Sequence, residues 1–155
     1  MSRPLRDFSR SLPMALLRAR EAVMARFRPL LRQHRVTEQQ WRVLRALEGA
    51  TETTTSSLAA TTCIGLPSLS RILVSLENRR LIRRRNKETD QRTTLVSLSA
   101  VGARLLRKAG AGSETRYRAL SREIGEAEMQ HLYELLDRVA AARHGHNRSE
   151  EHTSE

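Results

Sequence analysis

The 155-residue sequence predicts a mainly α-helical fold with a small β-hairpin. Three observations carry this. Apolar residues recur at three- and four-residue spacing along most of the chain, the mark of helices with one buried face. Only the segment from Leu81 to Leu98 reads as strand, a turn cluster and then strand alternation. Two short helical stretches joined at Gly65-Leu66-Pro67 come directly before it. The length fits about one domain.

The elements follow in order. Residues 1–11 hold Arg3, Arg6 and Arg10 with little apolar periodicity, and read as a mobile basic arm. From Leu12 to about His34 the residues Leu16, Leu17, Val23, Met24 and Phe27 mark a helix, which Pro29 can kink. Thr37 with Gln40 three residues later is a capping box, and Val36 with Trp41 is a hydrophobic staple. The helix they start carries Val43, Leu44 and Leu47 and stops near Gly49. Thr51–Ser57 reads as a loop with room for one short strand, and Ser56–Cys63 as a short helix.

Ser68–Arg79 follows, with Leu69, Ile72, Leu73 and Leu76 on one face. Its other face offers Ser68, Ser70, Arg71, Val74, Ser75 and Asn78. Two short helices around a glycine-containing turn make a helix-turn-helix. The hairpin behind it, Leu81–Arg85 and Thr93–Leu98 around a turn at Asn86–Asp90, adds a wing. Ser99 caps a long helix to about Ile124, in which Ala109-Gly110-Ala111-Gly112 is an expected soft spot. A last helix, Glu126–His144, carries Met129, Leu132, Leu135, Leu136 and Val139 on one face. The outer helices have more apolar surface than a small central domain can cover, so they are expected to pack on a second subunit.

Charge narrows the function. There are 28 Lys+Arg against 17 Asp+Glu, a net +11, and all the basic residues except Lys87 and Lys108 are arginine. A surplus of this size on a small domain points to a polyanionic partner, above all nucleic acid. No apolar run reaches the roughly 18 residues of a membrane span, and no secretory leader is visible, so the expected compartment is the cytoplasm, with no membrane partner. A single cysteine, Cys63, excludes an internal disulfide and any multi-cysteine metal site. On a packed helix it reads as an inert small hydrophobe rather than a redox switch. His34, His131, His144 and His146 have no metal spacing. No phosphate-binding glycine loop or nucleophile–base pair suggests an enzyme, and no cofactor or metal is expected. Arg148–Glu155 (RSEEHTSE) matches the in-frame translation of a common sequencing-library adapter and is set apart as an artefact. It holds one arginine and three glutamates, which leaves +13 on residues 1–147.

The sequence resembles the MarR family of bacterial winged-helix transcription regulators over residues 12–143. The residues that carry this are LSRILVSLE at 69–77, LIRR at 81–84, Asp90-Gln91-Arg92, LVSLS at 95–99 and Gly102. Leu17–Glu21, Phe27–Pro29, Thr37–Arg42, Cys63-Ile64 and Pro67–Leu69 resemble the branch that represses homoprotocatechuate degradation operons. The resemblance implies a single domain at 12–143. A winged helix-turn-helix occupies 37–98, dimerisation helices lie at 12–34 and 99–143, and 144–155 is a disordered tail. It implies a homodimer on a pseudo-palindromic operator in double-stranded DNA, its recognition helices about one turn apart. The implied place is the bacterial cytoplasm, on the nucleoid. One departure is Arg80, where the family usually has glycine in a left-handed helix cap.

On DNA, Ser68, Ser70, Arg71 and Ser75 are expected on the groove-facing side of the recognition helix, with Arg71 the leading contact. The family's wing arginine corresponds to Arg92, which enters the minor groove, and Asp90 is expected to orient it through a bidentate pair. Arg83, Arg84, Arg85 and Lys87 are expected on phosphates, setting affinity and salt dependence. The family's ligands bind between the dimerisation helices and the DNA-binding lobe. A small aromatic carboxylate effector fits Arg20, Met24, His34, Trp41 and Arg45, an apolar slot with cations. The alternative is a nonspecific basic nucleic-acid-binding protein, which has no need of the Asp90–Arg92 pair.

Overall fold

The computed structural model describes residues 5–142. A 3-10 turn, Phe8–Arg10, comes first, capped by the Asp7 carboxylate. Then follow α1 (Leu12–Gln33), α2 (Glu38–Leu47), β1 (Thr53–Thr54), α3 (Thr55–Thr62), α4 (Leu66–Asn78), β2 (Ile82–Lys87), β3 (Asp90–Leu98), α5 (Ala100–Ile124) and α6 (Glu126–Ala141). The arm is thus not wholly irregular. Its residues 1–4, the expected end of the last helix at His144 and the tail lie outside the described residues. The chain divides into two compact units, one up to Glu114 and one from Thr115.

In the first unit the expected capping box at the start of α2 is present in full. Gln40 N–H donates to the Thr37 hydroxyl and Thr37 N–H to the Gln40 side chain, both at 3.1 Å. Val36 is buried, and Trp41 packs on the core from its edge. The core joins Val43, Leu44 and Leu47 of α2 to Leu58 of α3, Leu69, Leu73 and Leu76 of α4, and Val96 of β3. Each such leucine contributes roughly 1.5–3 kcal/mol. α1 continues through Pro29, and α5 runs as one helix through Gly110 and Gly112, so the glycine segment is no break.

The three strands form an antiparallel sheet with β3 in the centre, between β1 and β2. The strands run further than their composition suggests, and only Glu88 and Thr89 are left as the hairpin turn. α4 begins at Leu66 rather than Ser68, because Pro67 is acceptable in a helix's first turn, where backbone N–H groups have no partner.

Helices α1, α3 and α4 end alike. Arg35, Cys63 and Arg80 adopt left-handed φ values of 54°, 54° and 58°. In each case the next residue's N–H reaches back five residues: Val36 to Leu31 (2.9 Å), Ile64 to Ala59 (3.2 Å) and Leu81 to Leu76 (3.0 Å). These are Schellman caps, whose left-handed residue is most often glycine. Arg80 therefore adopts the left-handed cap that the resemblance implies, with a side chain where glycine is expected. Cys63 is exposed at this turn, not packed on a helix face as expected, because the helix ends just before it.

Ser99 ties α4 to α5. Its hydroxyl donates to the Arg80 carbonyl at 2.6 Å and accepts from the Gly102 N–H at 3.0 Å. Its own N–H donates to the Leu81 carbonyl at 3.1 Å. Gly102 is needed here, since a Cβ would stand 2.1 Å from the Leu81 carbonyl oxygen.

The second unit holds the end of α5, the turn at Gly125 (φ 104°) and α6. Leu120 and Met129 are buried, whereas Leu132, Tyr133, Leu135, Leu136 and Val139 are exposed in the single chain. The expected surplus of apolar surface is therefore present on α6, and Leu12, Leu16 and Leu17 repeat it on α1. Among the described residues, no single helix is long and apolar enough to cross a membrane.

Candidate nucleic-acid interface

Helix α4 turns Leu69, Leu73 and Leu76 into the core, which leaves Ser70, Arg71 and Val74 in solvent. Ser68 is half-buried. Ser75 is half-buried too, and its hydroxyl accepts from the Gln40 side-chain amide at 3.1 Å, so it joins α4 to α2. Arg79, past the helix end, donates to the Arg35 carbonyl at 2.8 Å and closes the α1 cap.

The arginine run on β2 is divided by the strand itself, because successive side chains point to opposite faces. Arg84 pairs in register with the buried Val96 and lies on the α4 side. There it makes a fork on the Glu77 carboxylate of α4, at 3.0 and 3.1 Å. Arg83 and Arg85 lie on the other face. Arg85 makes a second fork, on the Glu52 carboxylate just before β1, with both contacts at 2.7 Å. These hydrogen-bonded guanidiniums hold both carboxyls below the usual glutamate range. The three arginines are therefore not equivalent phosphate contacts, since two of them already hold an anion.

The wing tip is built on a register shift. Asn86 pairs with Thr94, but Lys87 pairs with Asp90, so Gln91, Arg92 and Thr93 bulge from β3. The Asp90 carboxylate accepts from the Arg92 backbone N–H (3.0 Å) and the Thr93 hydroxyl (2.7 Å). The Thr93 hydroxyl, and then the Arg92 N–H, keep this carboxyl below its ordinary range. The expected bidentate pair between Asp90 and the Arg92 guanidinium is not formed. Asp90 spends its oxygens on holding the bulge, and so presents Arg92 through the backbone. Among the described residues, Arg71, Arg83, Lys87 and Arg92 make no hydrogen-bonded ion pair, and all four are exposed. Thr54, Ser56, Ser70, Arg84, Arg92 and Thr94 line a polar hollow of about 310 Å³ between the start of α3, α4 and the wing.

Neither the wing hollow nor a smaller hollow between α1 and α2 is lined by any of the five effector candidates. Arg20 donates to Glu21 (3.1 Å) and Glu38 (2.9 Å), while Arg28 donates to the same two carboxylates at 2.6 Å. This four-residue network ties α1 to α2, and Arg28 above all keeps the Glu38 carboxyl below its usual range. Arg45 pairs with Glu48. Trp41 lies one turn before Arg45 on α2, Met24 is half-buried, and His34 occupies the C-cap of α1. A small hollow of about 190 Å³ between α1 and α2 is lined by Arg28, Leu31, Arg32, Val36, Thr37 and Glu38. Arg28 and Glu38 escaped the sequence reading, although the seven-residue step from Glu21 to Arg28 is two helical turns and was a usable signal. Glu52 and Glu77 had no local signal.

Known proteins resemble this arrangement over nearly its whole length. The MarR family model matches residues 36–94. The homoprotocatechuate degradative operon repressor of Escherichia coli is 38% identical over 141 residues, which cover 91% of this chain and 94% of that one. The crystal structure of NadR in complex with 4-hydroxyphenylacetate is 36% identical, with a TM-score of 0.77 over 89% of this chain and 98% of the other. The transcriptional repressor CouR, bound to a 23-mer DNA duplex, is 26% identical, with a TM-score of 0.79 over 90% and 99%.

Proposed function

Because the chain belongs to the MarR family, we propose that it is a homodimeric, sequence-specific DNA-binding repressor of an aromatic-acid catabolic operon, released by an aromatic effector. The observation that carries the DNA reading is the pairing of an exposed, unpaired Arg71 on α4 with an unpaired Arg92 on the wing bulge. Arg71 with Ser68 and Ser70 reads base edges in the major groove. Arg92 enters the minor groove, where negative potential is concentrated. Arg83 and Lys87 bind phosphates, which position the protein without reading sequence. Residues 37–98 form the DNA-binding lobe, and residues 12–34 and 99–143 form the dimer. The exposed apolar residues of α1 and α6 support that division. The reading is of a binding protein rather than an enzyme, working in the cytoplasm at the nucleoid.

The effector part rests on the relatives named for homoprotocatechuate degradation and for 4-hydroxyphenylacetate. Trp41 and Arg45 on α2, with Arg20 and Met24 of α1 and His34 at its C-cap, would give an aromatic acid an apolar wall and a cation. The acid acts by favouring a dimer whose recognition helices no longer fit the groove spacing, to the extent that it binds that state better.

The test is fluorescence anisotropy of labelled duplex from the protein's own promoter region, with excess random duplex, at about 150 mM salt. It is repeated with 3,4-dihydroxyphenylacetate. Binding that survives the competitor and falls with the acid is expected. Binding erased by random duplex refutes sequence specificity. Binding that ignores the acid refutes the effector, and a flat Trp41 fluorescence titration on folded protein refutes its location.

A further inference from the structure

We infer that Glu52 is a built-in stand-in for a DNA phosphate, occupying the guanidinium fork of Arg85 and so setting how strongly the protein holds any duplex regardless of sequence. The inference rests on the DNA-binding reading above and adds to it a residue that touches no base.

The geometry is specific. Arg85 on β2 is in register with Leu95 of β3, and Leu95 in turn with Thr54 of β1. Glu52 lies just before β1, and its carboxylate meets the guanidinium of β2 across the central strand β3. Both contacts, Nε to Oε1 and Nη2 to Oε2, are 2.7 Å. This is the parallel two-point fork by which a guanidinium also binds a phosphodiester. A carboxylate and a DNA phosphate therefore compete for the same edge of Arg85.

The other wing fork is placed differently. Arg84–Glu77 lies on the α4 side and joins the recognition helix to the sheet, so it orients elements. In the Arg85–Glu52 pair the arginine side chain is 52% exposed, against 29% for Arg84, and both residues lie outside the hydrophobic core. An open pair of this kind is weak and exchangeable in water. Its consequence is electrostatic. Arg83, Lys87 and Arg92 on the same wing have no such partner, so Glu52 takes one charge out of an otherwise free set. Each phosphate contact adds about 0.9 to the slope of log affinity against log salt on duplex DNA. Glu52 withholds one such contact from operator and random DNA alike, which leaves α4 to supply the discrimination.

The experiment compares wild type, Glu52→Gln, Arg85→Ala and the double variant by anisotropy, on the promoter duplex and on random duplex, from 50 to 200 mM salt. Thermal unfolding confirms the fold of each. Glu52→Gln is expected to steepen the salt slope by about 0.9, which is about 3.5-fold more affinity lost across that range. It should bind random duplex several-fold more tightly at 50 mM. Arg85→Ala alone leaves the Glu52 carboxylate unpaired and should bind no more tightly than wild type, and the double variant, neutral again at this pair, should return to the wild-type slope. An unchanged slope in Glu52→Gln overturns the inference. Weaker binding also overturns it, since Glu52 would then be holding Arg85 in place for DNA. A steeper slope that persists in the double variant overturns it too, because the effect would not pass through Arg85. Wild-type protein that binds no duplex at all refutes the DNA reading itself, a different result from any of these.

Discussion

Replacing Arg80 by glycine is expected to stabilise the protein. Arg80 has φ 58° in the cap that ends α4, and its backbone is fixed on both sides. Its N–H donates to the Glu77 carbonyl at 2.8 Å, and its carbonyl accepts from Ser99 at 2.6 Å. A residue with a Cβ loses roughly 1–2 kcal/mol in this left-handed conformation. Glycine removes that strain but has more freedom to lose on folding, which takes back about 0.5–1 kcal/mol. The net gain is then about 0.5–1 kcal/mol, or on the order of 1–4 °C in Tm for a chain of this length. The assay is thermal and urea unfolding followed by circular dichroism, at one fixed protein concentration because dimer dissociation couples to unfolding. Arg80→Ala is the control, since it keeps the Cβ and the strain and removes only the guanidinium. It should stay within about 0.5 kcal/mol of wild type. Glycine and alanine variants of equal stability would show that the strain only matches glycine's cost in chain freedom, and a glycine variant less stable than alanine would refute the reasoning outright.

Arg92→Ala is expected to weaken operator binding about tenfold or more without changing the dimer seen by sedimentation; unchanged affinity removes Arg92 from the interface. Arg71→Ala should relax sequence preference, whereas an equal loss on all duplexes would make Arg71 a phosphate contact only. Gly102→Ala should cost roughly 1–3 kcal/mol, because the new methyl would meet the Leu81 carbonyl, a backbone atom; a neutral Tm would show that the α4–α5 junction can shift. Glu38 and Glu77 are held below the usual range by Arg28 and Arg84, so their contribution to stability is complete above the unfolded value of about 4.3 and is lost as pH falls through their lower folded values. Unfolding measured from pH 7 to 3 should therefore show their loss only below about pH 4.3, and a Glu77→Gln protein should lose less than wild type over that last interval.

The parts of the fold that could be read in the sequence are those set by residues close together in the chain. Thr37 with Gln40 and the Leu69–Leu76 stripe each act within two helical turns, and both are present. The left-handed cap at Arg80 was legible only through the resemblance to a family that usually has glycine at that position. The wing was legible only as an alternation. A bulge changes which residues face each other without changing composition, so Gln91–Thr93 left no mark, and Asp90 was assigned to the guanidinium of Arg92 instead of its backbone. The turn was expected too long because Asn86 and Asp90 favour turns, yet pairing along β3 kept both in strands. The partners of the arginine run were out of reach, since Glu52 is 33 residues from Arg85 and meets it only once β3 lies between their strands.

The hydrogen bonds of Ser99 make the end of α4 and the start of α5 a single pivot. The part of α5 that belongs to the first unit, Ala100 to Glu114, is about 22 Å long at 1.5 Å per residue. A displacement of about 3 Å at the far end of that stretch thus equals a tilt of only about 8° at Ser99. The Arg80 carbonyl, two residues past α4, is bonded to that same hydroxyl, so the tilt reaches the recognition helix with no slack segment to absorb it. α5 is in this sense a lever whose short arm is the seryl side chain, and the junction trades a visible motion at one end for a small, stiff rotation at the other.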